Sequence, residues 1–324
     1  MSTIATVIPA YNAAAFIAET LESVASQTHL PEEIIVVDDG STDGTIAAVE
    51  KSAAAHPELK IQLIRQPNAG ASAARNAGIH AAHSEIIAFV DADDVLESMH
   101  HEVLLRGLLE DRSVIAVFGD QSIFSGRTEK CASFLSGKPH ESLPYEVRDG
   151  GARVIQDGLW GALIRGNFVS MSASMTYRQV AMDIGGFDTG LMTSEDRDFW
   201  LRVSRNGRFA YVPRRLARIR EHASNLSGAA HASMVARYAF DVVMKQVRNR
   251  ESLRLDDGER ALLASVLEDA ARDLLYVASK GGWNEYRAAR AYLRDCTPEL
   301  LRWDLRGWCR AIGAGRILGS GCGR

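Results

Sequence analysis

The stretch Ile86-Ile87-Ala88-Phe89-Val90-Asp91-Ala92-Asp93-Asp94-Val95 sets an apolar run against three carboxylates. Asp91 and Asp93 lie two apart on an extended backbone, so they project to the same side and can share one divalent cation. A cation held there neutralises a diphosphate. The competing role for acids after a strand is to cap the next helix, and Asp94 is assigned to that role. Oxygen donors of this kind favour Mg2+ or Mn2+ over zinc. A second acidic group, Asp38-Asp39-Gly40-Ser41-Thr42-Asp43, follows another apolar run, and a third, Glu195-Asp196, stands behind Ser194 at the start of a helical pattern. Acids in a first helical turn are ordinarily explained by the helix dipole alone.

These groups need elements to hold them. An apolar run bounded by charge reads as a strand buried on both faces, hence a central parallel strand, and ligands bind at the C-terminal edge of such sheets. Residues 4–9, 33–37, 59–64, 86–90 and 114–118 are strand candidates separated by helical patterns, one of them an alanine-rich stretch carrying Arg75. Residues 1–120 are therefore expected to be βα repeats in an α/β fold: a doubly wound, mostly parallel central sheet with helices on both faces. From 121 to 150 the pattern dissolves into polar residues and predicts a loop or lid. Residues 168–177 predict a strand, Gly185-Gly186-Phe187-Asp188 a turn, and 209–212 and 216–219 two short strands ending at Arg220-Glu221-His222. Beyond about 229 the chain reads as helices over 233–247, 258–280, 283–293 and 298–312. The expected division is an α/β domain over 1–228, with halves 1–120 and 151–228 around the 121–150 segment, and a C-terminal helical extension over 229–324.

A formal charge of −4 over 324 residues gives no basic excess, so nucleic acid is not an expected partner. Cys131, Cys296, Cys309 and Cys322 are scattered without metal-ligand or framework spacing, which fits a reducing, cytoplasmic setting. The first residues lack the pattern of a signal peptide, and no apolar run reaches the roughly 18 residues of a spanning helix. Leu301, Leu305, Trp308 and Ile312 recur at helical spacing, with Arg302, Arg306 and Arg310 on another stripe. Residues 298–318 thus read either as a peripheral contact with the inner face of an anionic membrane, or as a helix packed on the catalytic domain or on a partner in a homodimer.

Val7-Ile8-Pro9-Ala10-Tyr11-Asn12, Val36-Val37-Asp38-Asp39-Gly40-Ser41-Thr42-Asp43, Ala73-Ala74-Arg75-Asn76-Ala77-Gly78, Phe89-Val90-Asp91-Ala92-Asp93-Asp94, Gly185-Gly186-Phe187-Asp188 and Glu195-Asp196 occur in one order. Over residues 3–227 this ordered set resembles the family 2 glycosyltransferases of GT-A fold. The resemblance implies inverting, metal-dependent transfer of a sugar from a nucleoside diphosphate donor to an acceptor hydroxyl. It implies Asp93 as a ligand of Mn2+ or Mg2+, Asp91 at the ribose or completing the metal site, and Asp39 on the edge of a pyrimidine base, which favours a UDP- or dTDP-sugar. Tyr11, supported by Pro9, is expected to stack on the base, and Arg75 to hold base or phosphate. Asp196 carries over as general base, with Glu195 supporting it; Gly186, Phe187 and Asp188 are expected on the acceptor side. His222 resembles a late histidine that some members place on the metal or diphosphate.

The Gln-x-x-Arg-Trp motif of the family's processive synthases is not found, which favours a hexosyltransferase adding one sugar per encounter. The implied setting is bacterial surface polysaccharide or glycolipid assembly, with a glycan or lipid-linked acceptor. The first strand is followed by neither a Gly-x-Gly-x-x-Gly loop nor a Gly-rich loop containing Arg, which argues against a dehydrogenase and a nucleotidyltransferase. The remaining alternative is a non-catalytic nucleotide-sugar-binding partner or sensor.

Overall fold

The computed structural model describes residues 2–222, 225 and 231–300. The chain divides into two compact units, 1–222 and 223–324. In the first, β1 (Ile4–Ala10), β2 (Glu33–Asp38), β3 (Ile61–Arg65) and β4 (Ile86–Phe89) alternate with α1 (Ile17–Ala25), α2 (Thr45–Ala55) and α3 (Ala71–Ala81). β1 pairs in parallel with β2 and β4, and β2 with β3, so the acids that follow β2 and β4 emerge at one edge beside the end of β1. β1, β2 and β4 are buried along their whole length, as their unbroken apolar character requires.

The chain continues through β5 (Val95–Leu96), α4 (His100–Leu109), β6 (Val114–Ser125), β7 (Thr128–Cys131), β8 (Tyr145–Val147), β9 (Arg153–Ile155), α5 (Leu159–Leu163), β10 (Ser174–Tyr177), α6 (Arg178–Asp183), α7 (Glu195–Val203) and β11 (Arg208–Arg220). Among the described residues one sheet runs in the order β3-β2-β1-β4-β10-β6-β11-β9-β8, with β5 on β11 and β7 on β6. The regular repeats end at β4: β10 inserts antiparallel between β4 and β6, and β6 finds its parallel partner in β11. The two short strands expected over 209–212 and 216–219 are one strand. β11 carries the chain past Pro213 with register shifts between Val212, Arg215 and Ala217, the irregularity that a residue without an N–H imposes on a ladder.

Residues 121–150 are not an irregular loop. β6 runs on to Ser125, β7 turns back against it, a 3₁₀ turn spans Pro139–Ser142 and β8 pairs with β9. Asp120 anchors the segment: its Oδ1 accepts from the Leu135 N–H at 3.0 Å and its Oδ2 from the Ser133 hydroxyl at 2.5 Å. These are polar tethers, which hydrophobic periodicity does not register.

On one face of the sheet Ile8, Ile17, Leu21, Ile34, Val36 and Val49 join α1 and α2 to β1 and β2. Ile4, Ile86, Ala88, Leu104, Leu108 and Val117 join α4 to the same side. Strand alternation puts Val7 and Phe89 on the other face. There a Cβ on Gly78 would run into Val7, so glycine is what lets α3 lie close on β1. Phe89 meets Phe187 and Phe199 edge-on, with centroids 5.3 and 5.8 Å apart, which seats the start of α7 against the end of β4. Each such buried ring contributes about 1.5–3 kcal/mol of transfer free energy.

The second unit contains α8 (Ala232–Arg248), α9 (Asp257–Gly281) and α10 (Trp283–Cys296). α9 begins in a capping box between Asp256 and Glu259, and Phe240, Val243, Leu263, Leu274, Tyr286 and Leu293 are buried. The amphipathic pattern at 301–312, and most of the 298–318 stretch read as a membrane or dimer contact, lie outside the described residues. Among the described residues no helix is long and apolar enough to cross a membrane.

Candidate active site

Four of the residues singled out in the sequence line one cavity of about 260 Å3: Arg75, Asp91, Glu195 and Asp196. Arg75 is 4 % exposed and bridges the two acidic groups. Its guanidinium donates to Asp91 Oδ1 and to Glu195 Oε1, both at 2.7 Å, and lies over the Phe187 ring 5.3 Å from the centroid. Burial alone would lower its pKa, but the two carboxylates outweigh that and raise it. Arg75 is thus a strut between the turn after β4 and the start of α7.

Asp196 faces the same cavity. Burial, followed by the charge of Glu195, raises its pKa to about 6, against the opposing effects of the Arg197 N–H, Arg75 and Asn167. Its Oδ1 accepts from the Arg197 N–H and its Oδ2 from Asn167 Nδ2, each at 2.7 Å. The first turn of α7 is held in place by Arg197, which is 9 % exposed and donates to the Leu163 and Ile164 carbonyls at the end of α5. These contacts anchor α7 beyond what a dipole explanation of its acids requires.

The acids after β4 separate in role. Asp93 Oδ2 lies 2.8 Å from His222 Nε2, and the His222 ring stacks on Phe16 with centroids 4.7 Å apart. Burial and then the charge of Asp91 push the Asp93 carboxyl up, with His222 opposing. Asp94 is not a helix cap, because α4 begins only at His100, behind Met99. It is buried at 2 % exposure, accepting from the Ser172 hydroxyl at 2.6 Å and from the Arg220 N–H at 3.0 Å. Burial, then Asp91 and Asp93, raise its pKa well above the usual carboxylate range. Asp94 fastens the acidic turn to the end of β11 and to the 171–173 turn.

Among the described residues no three His, Cys, Asp or Glu side chains converge as a ready-made metal cage. Asp93 and His222 are a pair, with Asp91 close enough to act on Asp93 electrostatically. Crowded carboxylates beside an imidazole suit a Mg2+- or Mn2+-type site, in which one or two protein groups bind the cation and substrate phosphates complete its shell.

At the ends of β1 and β2, Asp39 is 3 % exposed. Its Oδ1 accepts from Gln66 Nε2 at 2.7 Å and the Ala69 N–H at 2.9 Å, and its Oδ2 from the Gly70 N–H at 2.8 Å. Pro9 is buried within β1, and Tyr11 just beyond it is 53 % exposed. Asn12, in the left-handed region at φ 48°, joins the two loops by accepting from the Thr42 N–H at 2.9 Å. Pro9, Tyr11 and Asp39 do not line the Asp196 cavity.

Neither do Gly186, Phe187 and Asp188, which the sequence placed on the acceptor side. Phe187 is 2 % exposed and stacks on Phe199 at 4.2 Å, because a ring between two aromatic neighbours gains more by burial than at a polar cleft. Its backbone is clamped by Asn76, whose Nδ2 donates to the Phe187 carbonyl at 2.8 Å and whose Oδ1 accepts its N–H at 2.7 Å. Asp188 closes its own turn by accepting from the Gly190 N–H.

Several residues the sequence reading did not select complete the site. Arg220 donates to the Asp93 carbonyl at 2.8 Å and to Glu19 at 2.6 Å; its position two residues before His222 was the available clue. Ser172 accepts from the Asp91 N–H at 3.0 Å while donating to Asp94. Gln121, Phe134 and Asn167 line the cavity, and nothing in their local sequence marks them.

Residues 6–152 match the family model described as Glycosyl transferase family 2. An uncharacterized glycosyltransferase of Nostoc sp., alr2836, is 44 % identical over 150 residues, 46 % of each chain. The E. coli glycosyltransferase YibD is 42 % identical over 105 residues, 32 % of this chain and 30 % of its own length. The chain thus spans less than half the length of these two relatives. Among solved structures, S. aureus TarS 1–349 in complex with UDP-GlcNAc superposes with a TM-score of 0.56 at 19 % identity, covering 92 % of this chain and 90 % of that one. The mannosyltransferase PcManGT of Pyrobaculum calidifontis, in complex with GDP-Man and Mn2+, also gives 0.56 at 19 % identity, covering 99 % and 81 %. The fold is that of a GT-A-type protein. The chain belongs to glycosyl transferase family 2.

Proposed function

We propose that the chain transfers a single sugar, with inversion, from a nucleoside diphosphate sugar to an acceptor hydroxyl, with Asp196 as general base. The observation that carries this reading is the Asp196 carboxylate: buried, held at a pKa of about 6, and facing a cavity shared with the Arg75-bridged acids. A carboxylate with that pKa is ionised at neutral pH yet basic enough to take the proton of an attacking hydroxyl. Glu195 sustains its basicity and binds Arg75, which in turn fixes Asp91.

Asp93 and His222 would hold a Mn2+ or Mg2+ ion. When bound, such an ion supplies positive charge opposite the departing diphosphate. The protein's part there is to orient the ligands: Arg220 braces the Asp93 backbone, and Phe16 fixes the plane of His222. Tyr11 and Asp39 take the base, which favours a uridine or thymidine nucleotide; the bond from Gly70 and Ala69 holds the Asp39 carboxylate in one orientation. Residues 1–120 form the donor half and 151–228 the acceptor half, serving a glycan or lipid-linked acceptor in surface polysaccharide or glycolipid assembly.

Asp196→Asn tests the reading. Donor binding, followed by thermal shift across a panel of UDP-, dTDP- and GDP-sugars with Mn2+, should be retained, while transfer falls at least roughly 10²-fold. Near-normal transfer in this variant refutes the assignment of the base.

A further inference from the structure

Asn167 lies in the segment between α5 and the 171–173 turn, with its side chain fixed at both ends. Its Oδ1 accepts from the Val169 N–H at 3.1 Å, and its Nδ2 donates to the Val169 carbonyl at 3.1 Å and to Asp196 Oδ2 at 2.7 Å. The orientation of the amide follows from these partners. Turned over, it would set N–H against N–H at Val169 and oxygen against oxygen at Asp196, so all three contacts agree on one arrangement. The other oxygen of Asp196 is taken by the Arg197 N–H. With one donor on each oxygen, the carboxylate cannot rotate about its Cβ–Cγ bond without losing both hydrogen bonds.

We infer that Asn167 is the positioning residue of the base, its amide fixing the direction in which the Asp196 carboxylate meets the acceptor hydroxyl. The inference rests on the reading of Asp196 as general base and adds what holds that base to its task. Asn167 and Asp196 line the same cavity, so the carboxylate is fixed at the wall where an acceptor would enter.

The chemistry of the amide suits this position. The charged groups around Asp196 are Glu195 and Arg197 on α7, Arg75 on α3 and, across the cavity, Asp91. A neutral donor offsets part of the repulsion from Glu195 without neutralising the base, as an arginine in its place would. An acid there would share a proton with Asp196 and remove the base from service. Asn167 also favours the ionised form over the neutral one, because its Nδ2 donates and a carboxylate oxygen is the stronger acceptor.

Two variants test the assignment. In Asn167→Ala the base loses its donor; Asn167→Asp keeps the shape and the bond from the Val169 N–H but replaces the donor with an acid. The first readout needs no substrate: carbon NMR titration of the Asp carboxylates, with the Asp196 signal identified by its loss in Asp196→Asn. The pKa of Asp196 should rise by roughly one unit in Asn167→Ala and further in Asn167→Asp. The second readout is release of nucleoside diphosphate with Mn2+ from whichever of UDP-glucose, UDP-N-acetylglucosamine and GDP-mannose is turned over fastest. Asn167→Ala should lower kcat about 10- to 100-fold with donor KM little changed, and move the acid limb of the pH profile upward. Thermal melting reports whether each variant is folded. An unshifted Asp196 titration in folded Asn167→Ala and Asn167→Asp overturns the inference, as does an unchanged pH profile. Near-normal turnover in Asp196→Asn would instead remove the reading of the base on which the inference stands.

Discussion

Replacing Arg75 with methionine keeps the aliphatic stem and deletes the charge that joins the two acidic groups. In the wild type the guanidinium side chain is 5 % exposed, and its partners Glu195 and Asp91 are 15 % and 38 % exposed. Removing one member of a buried ion pair costs about 3–5 kcal/mol, because the partner keeps its desolvation penalty and loses its compensation. Glu195 bears nearly all of that cost. Asp91 is open enough for water to replace the arginine, so its share is at the level of an exposed pair, about 0–1 kcal/mol. The sum lies near the lower end of the range, about 3 kcal/mol. At about 2–4 °C per kcal/mol for a unit of this size, the melting temperature should fall by roughly 6–12 °C. Chemical denaturation gives the free energy directly. In a cycle with Glu195→Gln, the double variant should recover about 2 kcal/mol relative to the sum of the singles, since the stranded acid is gone. Arg75→Lys should recover only part of the loss, because an ammonium does not present the fork that reaches both carboxylates. A melting temperature within about 2 °C of wild type, or no coupling to Glu195, refutes the strut.

Asp93→Ala should make donor binding insensitive to EDTA and abolish the stabilisation by UDP plus Mn2+; unchanged metal-dependent affinity would remove Asp93 from the metal site. Because the base must be ionised to act and its folded pKa is raised to about 6, kcat/KM should fall tenfold per pH unit below that value and level off above it. The same shift makes the folded protein the better proton binder at this site. Its contribution to stability is therefore full below the ordinary aspartate pKa and lost as pH rises through about 6. Asp196→Asn should remove that slope from the stability profile, and an unchanged slope would place the titration elsewhere. Gly186→Ala should destabilise by about 2 kcal/mol or more, since φ is +68° there and a Cβ would sit against Asn76 Oδ1. A melting temperature equal to wild type would refute the clamp between Asn76 and Phe187.

How much the sequence decided depends on whether a residue's work is local. The strands β1, β2 and β4 and the acids that follow them are legible because a buried parallel strand is an unbroken apolar run and its ligand edge is where that run stops. The helices of the C-terminal unit are legible for a similar reason, a period of 3.6 sustained over many residues. The sequence alone also carried the family, through a set of short motifs that occur in one order along residues 3–227. Tertiary structure decided what joins residues far apart in the chain. β10 enters antiparallel between β4 and β6, a pairing that no local pattern encodes. Asp120 orders a segment that composition presents as loop, because two hydrogen bonds to Ser133 and Leu135 supply what apolar periodicity does not. Arg75 is bound to acids 16 and 120 positions away, and Asn167 to an acid 29 positions on. Phe187 sits in a motif that pointed to the acceptor, and its ring lies under the Arg75 guanidinium. In each case the deciding term is the cost of leaving a buried charge, an amide or a ring without its partner, and that cost exists only once the fold has taken the group out of water.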